Sequence, residues 1–372
     1  MGGGEQKYVQ EAFDTNWVAP LGPNVNGFEQ DLETYLGEKN KVACLSSGTA
    51  ALHLALVLSN VDKEDEVICQ SMTFSASANP IVYLGAKPIF IDSERDTWNM
   101  CPITLEEAIK DRISKGKKPK AIIVVHLYGM PAKIDKISAI SRKYDVALIE
   151  DAAGALGSEY KGQKCGTFGD FGIVSFNGNK IITTGGGGAL ICKSQIDNNK
   201  ALYLSTQARI DKSYYEHKEV GFNYRMNNIL SCIGRGQMNV LKERIEGRRN
   251  NHLYYYENFR DMLGIELLNE LQNKPQVIFT TAYTEFAIES YSFNAIDYLL
   301  KPFDFDRFQV AIQKAETRLE NLKKEADFFF IKDGFKTIKV LFDNILFIKG
   351  SGNYLDIITK EKVYSPRMTF TE

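Results

Sequence analysis

The sequence predicts an α/β fold: a large domain on a mostly parallel sheet, then a partial α/β fragment, then a partial β-rich fragment. Three observations predict it. Short apolar runs such as "DEVICQS", "KAIIVVHLYG" and "VALIEDAA" alternate with helical stretches, as in parallel sheets covered on both faces. The alternation breaks near residue 262 and resumes on a smaller scale, which sets domains at 1–262, 263–326 and 327–372. From about Phe328 the runs are short and β-rich, separated by turn residues in an antiparallel pattern.

The elements follow in order. "NGFEQDLETYLG" is an amphipathic helix ending at Gly37. "KVACLS" is a strand, and "SGTAALHLALVLS" a helix entered through Gly48. "DEVICQS", "KPIFID" and "KAIIVVHLYG" are buried strands, "ISAISRKY" is helical, and "VALIEDAA", "FGIVSF" and "GALICK" complete the series. "NNILSCIGRGQMNVLKERIEGRRNNHLYYYENFRDML" is a long helical stretch with Gly234 and Gly236 as weak points. Beyond it "PQVIFTTAY" and "AIDYLLKPF" are strands around the helix "EFAIESYSF". A further helix carries Phe308, Ile312, Ala315, Leu319 and Leu322 near the helical period. "FFFIKDGFKTIKVLFDNILFIKGSGNYLDIITKEKVYS" holds strands separated by "KDG", "DN" and "GSGN".

Bulk properties bound the function. A chain of 372 residues has room for two or three domains. Hydrophobic residues make up 44% and charged residues 25%, and the net charge of −2 gives no global field toward nucleic acid or membrane. The six cysteines form no CxxC pair and all precede Phe259, so buried free thiols in a reducing compartment are expected, with no metal site. No apolar run reaches the ~18 residues a membrane span needs. "MGGGEQKYVQ" lacks a signal h-region, so the expected location is the cytoplasm.

The stretch "FGIVSFNGNKIITTGGGGAL" places Lys180 after a buried strand and before a glycine run. Such a lysine is either a solvated surface residue or a Schiff-base lysine, its amine freed by desolvation among small and apolar neighbours. Asp151 in "VALIEDAAGALGSEY" lies just past an apolar strand, where ligands gather in open parallel sheets. It either caps the next helix or pairs with a protonated pyridine nitrogen, strengthening pyridoxal phosphate (PLP) as an electron sink. Ser47, Gly48 and Thr49 open a helix whose free amides and dipole attract phosphate. Phe74 in "SMTFSASANP" is either core or a plate for a flat aromatic ring.

In this order on one sheet, these elements resemble the DegT-type sugar aminotransferases among the fold-type I PLP enzymes. "AFDTNWVAPLGPNVNGFE", "SSGTAALHLAL", "IEDAAGALGSEYKGQKCGTFGDFGIVSFNGNK" and "GFNYRMNNI" carry the resemblance, roughly over Glu5 to Arg260. It is nearest to enzymes that aminate the 4-keto group of a nucleotide-linked 6-deoxy sugar. The resemblance implies a PLP-transferase large domain in which Lys180 holds PLP and moves protons. It implies that Asp151 binds the pyridine nitrogen, that Phe74 stacks on the ring, and that Gly48, Thr49 and Ser175 hold the phosphate. It further implies that Asn223 reaches the neighbouring subunit's phosphate, hence a homodimer, and that an amino acid, typically glutamate, is the donor. Gly154 and Gly185 depart from the polar residues usual at those positions. The family's small C-terminal domain would follow "YYYENFRDML"; its absence after that point leads to an expectation of weak turnover.

From Gly264 the chain resembles something else. "GIELLNELQNKPQVIFTTAYTEFAIESYSFNAIDYLLKPFDFDRF" resembles the C-terminal half of a response-regulator receiver, with Thr281 as switch hydroxyl and Lys301 as the cation for a phosphorylated aspartate. The remainder resembles the start of a LytTR-type DNA-binding domain, although its 7 Lys and Arg against 5 Asp and Glu make a poor footprint for DNA. The alternative function is therefore a LytTR-family regulator that binds DNA. Gly264–Ile265–Glu266 fits both halves, so a join between two gene fragments is expected there.

Overall fold

The computed structural model describes residues 1–259, 276–281, 295–300, 303–325, 328–333, 336–351 and 354–366. They form two compact units, Met1–Tyr255 and Tyr256–Glu372.

The first unit is built on seven strands: β1 (Lys41–Leu45), β2 (Glu66–Gln70), β3 (Lys87–Ile91), β4 (Ala121–Val125), β5 (Ala147–Asp151), β8 (Phe171–Ser175) and β9 (Gly188–Cys192). Their order is β1-β9-β8-β5-β4-β2-β3. A hairpin, β6 (Glu159–Tyr160) and β7 (Gln163–Lys164), lies between β5 and β8 in sequence. β3, β2, β4, β5 and β8 pair in parallel, whereas β9 runs antiparallel to both its neighbours. The reversal of β9 departs from the parallel series expected. Its physical reason is the connection 176–187, which carries no helix to cross back over the sheet.

Helices cover both faces. α3 (Gly48–Leu58) and α7 (Gln195–Ser205) pack on one face around Leu54, Ile149, Ile173 and Leu190. On the other face α2 (Pro23–Leu36) packs around Phe28, Leu32, Val174 and Phe176. α5 (Pro102–Ser114) and α6 (Ile134–Tyr144) pack on that face around Ile122, Val124 and Leu148. Alternate residues of the strands other than β3 thus serve opposite layers, which is why they carry near-continuous apolar runs, whereas β3 leaves Phe90 exposed. α1 (Glu5–Asp14) and α4 (Asn79–Tyr83) complete this part of the unit.

The long C-terminal helical stretch is two helices, α8 (Asn228–Met238) and α9 (Leu241–Phe259). The break falls at 239–240, and α8 runs unbroken through Gly234 and Gly236, so these glycines are not weak points. They are where neighbours press closest. A Cβ on Gly234 would lie 2.5 Å from Phe28 Cε1, and one on Gly236 would lie 2.7 Å from the Glu5 backbone. Gly234→Ala should therefore cost about 1–2 kcal/mol net, overpacking exceeding the gain in helix propensity. A lowered melting temperature checks this, and a raised one would refute the packing account.

In the second unit, β10 (Ile278–Thr281) and β11 (Asp297–Leu300) form a parallel pair, and α10 (Phe305–Glu325) follows. Strands β12 (Phe328–Asp333) and β13 (Lys336–Leu341) are antiparallel, as are β14 (Ile345–Ser351), β15 (Tyr354–Thr359) and β16 (Val363–Tyr364). A small core of Ile331, Val340, Ile357 and Tyr364 joins them. Thr281 ends β10, paired with Leu300; Lys301, the "EFAIESYSF" helix and the Gly264–Glu266 join lie outside the described residues. Phe308, Ile312 and Leu319 on α10 are exposed.

Arg307 holds α10 to β11 through Asp297, with Nη1 and Nη2 donating at 2.8 and 2.9 Å. These hydrogen bonds hold the Asp297 carboxyl well below the ordinary carboxylate range. The stabilisation is full above the unfolded value near pH ~4 and is lost as pH falls through the depressed folded value. Protection of the β11 amides, measured against the exchange rate of unstructured chain at the same pH, should thus fall only on acidification below about pH 4; an Asp297→Asn variant should be less protected already at neutral pH.

Candidate active site

Asp151 ends β5, where Ile173 of β8 and Val125 of β4 flank it in register. Two residues beyond Ile173, Ser175 ends β8 and pairs with Gly188 of β9, which in turn pairs with Leu45 of β1. The chain turns from Leu45 into α3, whose cap is Ser47: Ser47 Oγ accepts from Ala50 N at 3.0 Å. Gly48 and Thr49 supply the first two amides of α3, ahead of the helical ladder. A Cβ on Gly48 would lie 3.1 Å from Ser175 Cβ, and one on Gly188 would lie 2.4 Å from Gly48 N. The helix start is thus pressed between the ends of β8 and β9.

Lys180 sits in the connection between β8 and β9, half-buried, its N–H donating to Asn177 O at 3.0 Å. That connection is anchored at its root by Phe176, fully buried with its ring 5.0 Å from Phe28. Phe74 follows β2 and is 79% exposed, which rules out the core alternative and leaves its ring open. Asn223 is exposed, and its Oδ1 accepts from Gln207 Nε2 at 3.1 Å. With Thr206, Gln207, Arg209 and Arg225 it lines a cleft of about 280 Å³.

Several partners in this region escaped the sequence reading. Ser77 Oγ donates to Asp151 Oδ2 at 2.7 Å, and Thr73 Oγ1 lies 2.8 Å from Ser77 Oγ. Ala153 N donates to Asp151 Oδ1 at 3.2 Å. Asp151 therefore does not cap a regular helix; its two oxygens bind a hydroxyl and a loop amide. The preceding carboxylate, Glu150, points to the other face of β5. It accepts from His126 Nε2 at 2.9 Å and from the amides of Gly166, Phe168 and Gly169. His126 Nδ1 accepts from Ala132 N at 3.1 Å, which leaves the proton on Nε2. The adjacent pair in "IED" thus divides into a structural and a site carboxylate, a division the alternation of a strand would have indicated.

Gly185 has φ +82° with open space where a Cβ would be, so its backbone rather than crowding favours glycine there. Gly154 has neither constraint: a Cβ would stand 3.6 Å from Gly129 N.

These residues fit a flat cofactor bearing a phosphate. There are helix-start amides beside a serine hydroxyl, a carboxylate at the sheet edge, an exposed aromatic ring and a lysine on a loop at that edge. Residues 1–300 match the DegT/DnrJ/EryC1/StrS aminotransferase family. The chain belongs to that family. PLP is the cofactor of its aminotransferases, and the family match runs past residue 262, where the sequence set a boundary. Among relatives, EpsN of Bacillus subtilis (strain 168) is 51% identical over 270 residues, covering 73% of this chain and 69% of its own. Its name assigns it provisionally to the pyridoxal phosphate-dependent aminotransferases. A GDP-perosamine synthase of Caulobacter vibrioides is 39% identical over 278 residues, 75% of this chain and 71% of its own. Spr1654 from Streptococcus pneumoniae, solved in a PLP-form, superposes with a TM-score of 0.64 at 29% identity, covering 69% of each chain. The chain shares the fold-type I α/β sheet of these aminotransferases. Among the described residues no helix is long and apolar enough to cross a membrane.

Proposed function

We propose that the chain transfers an amino group from an amino acid, glutamate in the first instance, to the 4-keto carbon of a nucleotide-linked 6-deoxy sugar. The observation that carries this reading is the gathering of Lys180, Asp151, Ser175 and the Gly48–Thr49 amides at one sheet edge in a sugar aminotransferase. When bound, PLP supplies an electron sink for the carbon that carries the transferred nitrogen. Lys180 Nζ holds the cofactor and moves the proton between the two carbons involved. Asp151 would hold the ring nitrogen, and its charge would favour the protonated form. The Phe74 ring would hold one face of the cofactor and keep water from it. Gly48, Thr49 and Ser175 Oγ bind the phosphate. Asn223 serves the partner subunit's phosphate, so the working unit is a homodimer, and the free buried thiols support a reducing, cytoplasmic setting.

Purified protein given PLP, glutamate and a nucleotide-linked 4-keto-6-deoxy sugar should yield the 4-amino sugar and 2-oxoglutarate, read by mass spectrometry. No amino sugar with any amino-acid donor would refute the assignment. For the second unit we propose a receiver remnant over 263–326 and the start of a LytTR-type domain over 327–372. The parallel β10–β11 pair followed by α10 and then antiparallel strands supports this reading. It predicts salt-dependent binding to duplex DNA, and no shift at low salt rejects it.

A further inference from the structure

Two charged residues carry no role in the proposed reaction although each lies in a motif of the family resemblance: Glu29 on α2, in "NGFEQDL", and Arg225, in "GFNYRM". Their side chains are only 11% and 9% exposed. Arg225 Nη2 donates to Glu29 Oε2 at 3.0 Å, and Nη1 donates to Glu29 Oε1. Together they grip one residue of β1. Glu29 Oε1 accepts from Cys44 N at 2.7 Å, and Arg225 Nη1 donates to Cys44 O at 2.9 Å.

β1 is an edge strand of the seven-stranded sheet, so its outer edge has no ladder partner of its own. The segment around Arg225 supplies one. Leu45 and Arg225 form an antiparallel bridge, Met226 N donates to Cys44 O at 3.2 Å, and Ser46 N donates to Tyr224 O at 2.7 Å. The next residues are Ser47, Gly48 and Thr49. The turn that opens α3 is thus held on one side by Gly188 and on the other by this edge clamp. A buried ion pair is weak evidence for stability, because desolvation offsets its attraction, whereas fixing one arrangement is a role such pairs do serve. Amides bind a phosphate well only when their direction is fixed before it arrives.

We propose that Glu29 and Arg225 are positioning residues that set the phosphate-binding turn Ser47–Thr49 without touching the phosphate. This rests on the PLP reading above. It predicts that weakening the clamp harms recognition of the phosphate and spares recognition of the ring.

The test compares binding of PLP and of pyridoxal, which lacks the phosphate, to apoprotein of the wild type, Glu29→Gln and Arg225→Lys. Glu29→Gln keeps an acceptor for Cys44 N and removes the charge. The expected result is an affinity for PLP lowered about tenfold or more, with pyridoxal changed less than about twofold. A parallel loss of both ligands, or no loss of either, overturns the proposal. If Glu29→Gln does not fold, Arg225→Lys, which keeps the charge and loses the fork, is held to the same ratio. A wild type that binds neither compound would instead defeat the cofactor reading. In that event protection of the fold by inorganic phosphate, lost in the variants, supports the clamp, and protection equal in all three proteins overturns it.

Discussion

The Lys180→Ala protein is expected to fold and to bind PLP reversibly, but to form no covalent bond to it and to lose nearly all turnover. The loss should reach about a hundred- to ten-thousandfold from proton transfer alone. Lys180 lies in a turn, half-buried, with no structural hydrogen bond beyond its backbone N–H to Asn177 O, so the effect is chemical rather than structural. The competing candidate is Lys193. Burial pushes its amine below the ordinary lysine range, the usual mark of an activated lysine. Yet Lys193 Nζ donates to Thr167 O and to Asn40 Oδ1, at 3.4 Å for the latter. It also follows Cys192, which pairs with Phe171 at the start of β8, and so stands at the opposite edge of the sheet from Asp151 and Ser175. Ligands of open α/β sheets bind outside the carboxyl ends of the strands, the Lys180 edge. Borohydride reduction followed by peptide mass mapping separates the two. The wild type should carry the added mass on the peptide containing Lys180, and Lys180→Ala on none; mass on Lys193 would refute the assignment.

The comparison of these two lysines shows what could be read from residue order. Strands β1 to β5, β8 and β9 lie where the apolar runs place them, because a strand buried on both faces, as all of these but the half-exposed edge strand β3 are, leaves a local compositional trace. Lys180 and Asp151 stand out as candidates for the same reason, since each follows such a run, whereas Ser175 enters only through the family resemblance. The direction of β9 was not, because an apolar run carries no sign of which way it points. Nor was the role of Gly234, where only the approach of Phe28 from α2 shows why glycine is needed. The partners of the site residues were hidden by distance along the chain. Ser77 reaches Asp151 across 74 positions and Arg225 reaches Glu29 across 196. Neither serine nor arginine in such a motif announces its partner, and the pairing exists only once the sheet is assembled.

Asp151→Asn should preserve the fold and lower turnover by roughly two to three orders of magnitude, equivalent to about 3–4 kcal/mol in the barrier. The substitution is nearly isosteric at a site only 9% exposed. Its remaining carbonyl oxygen can accept from one of the two donors, Ser77 Oγ and Ala153 N, and the Ser77 hydroxyl can turn to accept from the new amide. What cannot be restored is the negative charge. In the proposed role that charge favours a protonated ring nitrogen, and without it the electron sink weakens in the step where the proton moves. Binding relies on other groups, the Gly48 and Thr49 amides and Ser175, so affinity for PLP should fall much less than the rate. The measurements are therefore paired: cofactor affinity, melting temperature and single-turnover rate of proton transfer. A rate loss matched by an equal loss of affinity would mean that Asp151 only anchors the cofactor. A variant that melts many degrees lower would mean that it chiefly ties β5 to the Phe74 loop through Ser77. A slow rate with binding and stability retained assigns Asp151 to the chemistry.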